Sequence, residues 1–191
     1  VADQFLADYF SSKLDLASLQ MAARLEPGNA DYQYRLGHYF LQTQYEPQTA
    51  AQFFRSAVAL NPYRASYWLE LSRTYRRLAD IDRQQDALQR AIAADPSTPE
   101  VAWEAANFYW TLGATDKALQ EFRVVLANDP YLPPAALDRC WRIKPDVDAL
   151  LRDVIPRNTD VYASFLDFLI SRNEPAAAAK VWTQIVHCLL Y

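Results

Sequence analysis

The sequence predicts an all-α protein, a right-handed solenoid of about twelve antiparallel helices. Three observations predict it. First, a helix-like run ends in Glu, Asn or Asp followed by Pro four times, at Pro27, Pro62, Pro96 and Pro130, at intervals of 35, 34 and 34 residues. Such a period marks a stacked repeat, because one helix hairpin leaves an apolar face that only its neighbour can cover. Second, the 191 residues include only 3 glycines, while the good helix formers Ala, Leu, Arg and Gln are abundant. Third, large and small residues alternate at helical spacing, so that antiparallel helices can interlock. The terminal proline of each period cannot continue a helix and disfavours helix in the residue before it.

The expected organisation is one array over residues 1–191. Residues 1–29 read as a degenerate N-terminal hairpin. Its second helix lies in "SSKLDLASLQMAARLEP" and its first falls around Ala2–Phe10. Three regular hairpins follow, over 30–62, 65–96 and 99–130. In the middle one, Trp68, Leu71, Ser72 and Tyr75 share the first helix with the spacing W-x2-L-[GS]-x2-Y, and Leu88, Ala91 and Pro96 follow on the second. Leu36, Gly37, Phe40, Ala50, Phe54, Ala57 and Pro62 hold the matching places in the hairpin before, which carries one extra residue near Tyr45–Pro47. Ala105, Ala106, Tyr109, Gly113, Ala118, Phe122 and Pro130 hold them in the hairpin after. Gly37, Ser72 and Ala106 are the small residues expected where the paired helices cross. The period then breaks. Over 131–156, "PPAALDRCWRI" and "PDVDALLRDVIP" read as a short, irregular helix pair. The phase returns over 159–191, with Tyr162, Phe165, Leu166 and Leu169 and then Ala178, Trp182 and Ile185.

These residues resemble the tetratricopeptide repeat family, directly over Ala30–Pro130, with three units in register and proline at a constant phase. Two positions depart from the family pattern: Ala79 replaces the usual turn glycine, and Gln84 replaces a small residue at the helix crossing. The resemblance implies a bacterial-type scaffold without catalytic activity or cofactor. Such arrays hold peptide segments of partner proteins along the first helices of their units.

No arrangement of residues points to catalysis. The GxSxG, HExxH, GxGxxG and P-loop patterns are missing from the sequence. The two histidines, His38 and His187, fall in different hairpins, and His187 and Cys188, adjacent on one helix, point about 100° apart and do not chelate one metal. Asp80, Asp82 and Asp86 belong at a turn and on an exposed helix face, where solvation accounts for them. A net charge of −4 spread along the chain argues against a nucleic-acid partner, and no apolar run reaches the roughly 18–20 residues of a membrane span. Cys140 and Cys188 read as buried thiols on helices, with a disulfide or a reactive thiol as the alternatives. The first residue is Val, as in a processed protein or an excised piece; a signal or anchor upstream is compatible with that, and the compartment is left open between cytoplasm and periplasm.

The repeat phase also picks out candidate binding residues. One position on from the structural residues, the first helices carry Tyr34, His38, Arg73, Arg77, Trp103, Asn107 and Trp110. These are expected to line one concave peptide-binding groove. Trp and Tyr offer apolar faces with a polar handle, and Arg offers forked donors for carboxylate. Some relatives in the family clamp a terminal carboxylate with Lys and Asn; Tyr34 and His38 stand in their place here, so that clamp does not carry over. The competing readings are helix packing for the two tryptophans and ion pairing with Glu70, Glu100 or Glu104 for the arginines.

The first functional reading is a non-catalytic scaffold that takes a peptide or helix, acidic or aromatic in character, from a partner protein. A second is a glycan-binding or glycan-handling accessory domain, since Trp103, Trp110, Asn107 and Arg73 can stack on and hydrogen-bond to sugar rings. A third is a structural spacer to a further domain. The final helix, "AAAAKVWTQIVHCLLY", has one narrow polar strip of Lys180, Thr183, Gln184 and His187. Its remaining circumference is apolar, so Val186, Leu189, Leu190 and Tyr191 are expected to form an interface, including one for self-association.

Overall fold

A computed structural model describes residues 16–131 and 133–190, the side chains of the last two excepted. The helix expected around Ala2–Phe10 lies outside the described residues. Those residues contain eleven helices and no strand: α1 (Leu16–Leu25), α2 (Ala30–Gln42), α3 (Pro47–Leu60), α4 (Ala65–Arg77), α5 (Ile81–Ala94), α6 (Pro99–Thr111), α7 (Thr115–Asn128), α8 (Pro133–Ile143), α9 (Val147–Asp153), α10 (Thr159–Ser171) and α11 (Pro175–Leu190). The chain divides into two compact units, Val1–Pro96 and Ser97–Tyr191.

The turns within the hairpins follow one backbone rule. Ala79, Gly113 and Asn173 each follow a first helix in the left-handed conformation, with φ of 56°, 73° and 58°. In each case the N–H of that residue donates to the carbonyl three back (Arg76, Trp110, Ile170), and the next N–H donates to the carbonyl five back (Tyr75, Tyr109, Leu169). The orphan carbonyls of the helix end are thereby satisfied. Between α2 and α3 the turn is one residue longer, which accommodates the extra residue of that hairpin. Tyr45 takes φ 57° and the Glu46 N–H reaches back to the Phe40 carbonyl, six residues away.

The turns between hairpins show why Asn or Asp precedes the proline. The Asn61 side chain accepts from the Tyr63 N–H at 3.3 Å, and that of Asp129 accepts from the Tyr131 N–H at 2.7 Å. A short polar side chain thus bridges over the proline, which has no N–H of its own. Helix starts use complementary devices. Asn29, Asp80, Asp146 and Asn158 accept from backbone N–H groups of the first turn, while Pro47 and Pro99 occupy the first turn, where a missing N–H costs nothing.

In the first unit, α2 packs on α3 and α4 on α5, and α3 contacts α4. The core is built around fully buried Phe54 and Tyr67, with Leu41, Leu71 and Tyr75. Gly37 is required there: a Cβ at this position would come within 2.6 Å of the Phe54 ring. At the next crossing, the polar pair Ser72 and Gln84 is buried, and the Ser72 hydroxyl donates to the Gln84 carbonyl at 3.2 Å. The serine thus satisfies its own burial and the longer glutamine is tolerated.

In the second unit, α6 pairs with α7 and α10 with α11, and one core runs from Phe122, Leu126 and Leu137 to Phe165 and Leu169. The irregular segment differs from a regular hairpin in its second helix. With 7 residues, α9 has half the length of α7, and it packs on α11, while α8 packs on α7 and α10. Two turns of helix are too few to lie along α8. The cysteines differ from the expectation of two buried thiols. Both are free, but only Cys140 is buried, where desolvation pushes its pKa up to about 12; Cys188, near the end of α11, is exposed.

Candidate functional site

The two units present separate sets of the predicted residues. In the first unit, α2 and α4 approach closely enough for the Tyr34 and Tyr67 ring centroids to lie 4.8 Å apart. One turn on from Tyr34, the His38 ring meets it edge-on at 4.5 Å and meets buried Phe54 at 5.3 Å. His38 Nε2 faces the Glu70 carboxylate at 3.9 Å, and the Gln42 amide lies 3.2 Å from Nδ1. A tautomer with the proton on Nε2 suits both neighbours. Glu70 also accepts from the Arg73 guanidinium at 2.7 Å. The result is a half-buried cluster of Tyr34, His38, Glu70 and Arg73.

Burial shifts these groups. It lowers the His38 pKa, with Arg73 adding to the effect and Glu70 opposing it. It raises the Tyr34 pKa, and Glu70 pushes in the same direction. Arg73 is therefore not a bare cation: ion pairing with Glu70 occupies one of its donors. Arg77 is exposed at the end of α4 and the contacts of the cluster do not include it.

In the second unit, α6 carries the other three candidates, each already engaged in part. The half-buried Trp103 packs edge-on against Phe122 at 5.6 Å. The Asn107 amide donates back to the Trp103 carbonyl at 2.7 Å. The Arg139 guanidinium lies over the Trp110 ring at 5.2 Å. Helix packing thus accounts for one side of Trp103, and a cation for one face of Trp110.

Sequence reasoning centred on the first helices missed two clefts that involve the second helices. In the first unit, Arg55, Arg83 and Arg90 surround Trp68 and Tyr75 in a cleft of about 470 Å³ between α3, α4 and α5. There Arg90 stacks over Trp68 and Arg83 over Tyr75, and each also pairs with a carboxylate, Asp86 and Asp80. In the second unit, Arg123, Arg152 and Arg157 line a cleft of about 510 Å³. Extending the repeat register to the second helices would have aligned Arg55 with Arg123. Among the described residues no group of three or more His, Cys, Asp or Glu side chains has the geometry to hold a metal, and no helix is long and apolar enough to cross a membrane.

The tetratricopeptide repeat family profile matches residues 69–133, the stretch that holds the Ser72–Gln84 crossing and the Gly113 turn. Over those residues the chain is similar to tetratricopeptide repeats. The helix-hairpin fold is shared by solved structures of helical repeat proteins. PilF of Pseudomonas aeruginosa is similar with a TM-score of 0.63 and 15% identity, over 97% of this chain and 92% of its own. YrrB, described as a TPR protein with an unusual peptide-binding site, is similar with a TM-score of 0.55 and 16% identity, over 98% of this chain and 85% of its own. MamA is similar with a TM-score of 0.50 and 18% identity, over 94% of this chain and 88% of its own. No curated protein sequence matches the chain. Identities this low concern the fold alone.

Proposed function

We propose that this chain is a tetratricopeptide repeat protein, a non-catalytic interaction scaffold that holds a peptide or helix of a partner protein on its first helices. The residues are Tyr34, His38, Arg73 and Arg77 in the first unit and Trp103, Asn107 and Trp110 in the second. The observation that carries the reading is the Tyr34–His38–Glu70–Arg73 cluster. It joins aromatic faces, a neutral imidazole and a carboxylate–guanidinium pair on two adjacent first helices, half exposed and held by Phe54 and Tyr67. Preorganised aromatic and arginine side chains of this kind dominate binding energy at interfaces. The peptide-binding site in the name of the YrrB structure agrees with this reading.

Selection of peptides from a random display library on the full chain tests it. Enriched peptides should lose affinity by about 1.5–3 kcal/mol on Arg73→Ala, the scale of a charged hydrogen bond, and should also weaken on Tyr34→Ala. Unchanged affinity would remove Arg73 from the site. A glycan array that binds where the peptide library yields nothing would replace the reading with the sugar-binding one.

The reading extends to the outer face of α11 as a self-association surface. Counted from the left-handed turn residues, Trp182 is the counterpart of Phe122, and Val186 of Leu126. Phe122 and Leu126 are 0% and 2% exposed, whereas Trp182 and Val186 are 56% and 36% exposed. Leu166 stands where the matching helix has Ala106, so the recess that admits an aromatic ring is filled. Ala177, Ala178, Val181 and Ile185 hold the helix to the core with Phe165 and Leu169. Of the other expected interface residues, Tyr191 and the side chains of Leu189 and Leu190 lie outside the described residues.

A further inference from the structure

We infer that the cleft left by the truncated helix α9 is a second binding site, for an acidic, extended peptide segment. It lies wholly within the second unit and shares no residue with the first-helix clusters described above. A regular second helix such as α7 has 14 residues, and α9 has 7. The space beside the missing turns is a cleft of about 510 Å³, within the size range of specific ligand sites. Arg123 of α7, Arg152 of α9 and Arg157 of the following loop reach it; Leu151, Ile155 and Pro156 form an apolar wall, and Tyr162 and Gln184 close it on the side of α10 and α11. A second cleft of about 440 Å³ shares Arg157, Tyr162 and Gln184 with it and continues past Thr183 to His187 and Cys188.

The charge balance decides the ligand class. Among the described residues, Asp148 is the only carboxylate in the lining, and it pairs with Lys180. Arg152 is held by both oxygens of its neighbour Asp153, at 2.9 and 2.8 Å. Arg123 donates one N–H to the Asp153 backbone carbonyl at 3.1 Å, a neutral partner that leaves the rest of its fork available. Arg157 has no ion-pair partner among the described residues. Two guanidiniums therefore present donors to a cleft with an apolar wall, the arrangement that recognises carboxylates bidentately. The site is longer than a single oxyanion requires. Its two connected lobes suit a chain in which carboxylates flank an aliphatic residue.

The test is calorimetric titration of the full chain with the acetylated, amidated hexapeptide ELDELD and, as a control, QLNQLN. The wild type should bind the acidic peptide, with affinity falling as salt rises, and should not bind the neutral one. Arg157→Gln, a change at an exposed loop residue, should weaken binding by about tenfold or more, the loss of a charge-assisted hydrogen bond. Arg157→Lys should restore part of it. The inference is overturned if the wild type does not bind ELDELD, if QLNQLN binds equally, or if Arg157→Gln binds like the wild type. Loss on Arg73→Ala but not on Arg157→Gln would assign the peptide to the first-helix cluster instead. Full displacement of the peptide by inorganic phosphate would show a small-oxyanion site and overturn the peptide assignment.

Discussion

Gly37 and Ala79 show how single backbone positions carry the repeat, and they respond to substitution in opposite directions. Ala79 holds φ 56° at the end of α4, where the matching residue of the next hairpin is Gly113. A left-handed alanine costs about 1–2 kcal/mol, and glycine gives back part of the relief through its freer unfolded chain, about 0.5–1 kcal/mol. Ala79→Gly should therefore stabilise the protein by about 0.5–1 kcal/mol, read as a higher urea midpoint at unchanged slope. At Gly37 the limit is space. A methyl group there meets a Phe54 ring that is fully buried and cannot swing away. Overpacking costs about 1–3 kcal/mol and exceeds the gain in helix propensity, about 1 kcal/mol. Gly37→Ala should lower the midpoint, and a raised midpoint would mean that the ring shifts freely.

The contact between α2 and α4 joins elements through one titrating side chain. Burial of His38 against Tyr34 and Phe54 lowers its pKa below the usual histidine value of 6.5. The sign of the linkage follows. Above pH 6.5 both folded and unfolded chains hold His38 neutral, and its burial carries no penalty. As the pH falls through 6.5 and then through the lower folded pKa, the unfolded chain takes the proton first, so stability is lost. Denaturation of the wild type and His38→Gln across this range should show the wild type losing stability relative to the variant below pH 6.5. Parallel curves would mean that Glu70 offsets the burial. At the same scale, the regular hairpins were legible because their signals are local: large and small residues at helical spacing and a polar side chain before each terminal proline. The path of α9 was not legible. Its length can be read from the prolines and Asp146, but its packing on α11 depends on residues more than twenty positions away.

Across the whole molecule, the apolar outer face of α11 should make the chain associate with itself. Sedimentation over a concentration series should show reversible association that Trp182→Asp abolishes while the helical circular dichroism is retained. A strict monomer at every concentration would show that exposed Trp182 and Val186 serve no contact between copies. The sequence by itself determined the helical class, the period, the hairpin turns and the small residues at the crossings. Each of these rests on spacing within about thirty residues and on the conformational limits of Pro, Gly and Asn. Only the tertiary structure decided which charges meet. His38 faces Glu70 from another hairpin, Lys180 reaches Asp148 across 32 residues, and Arg123 reaches the Asp153 carbonyl across 30. These meetings determine which arginines are engaged and which face an open cleft. They depend on how far α9 extends and on which helix it rests, a property of packing between distant segments that no local pattern records.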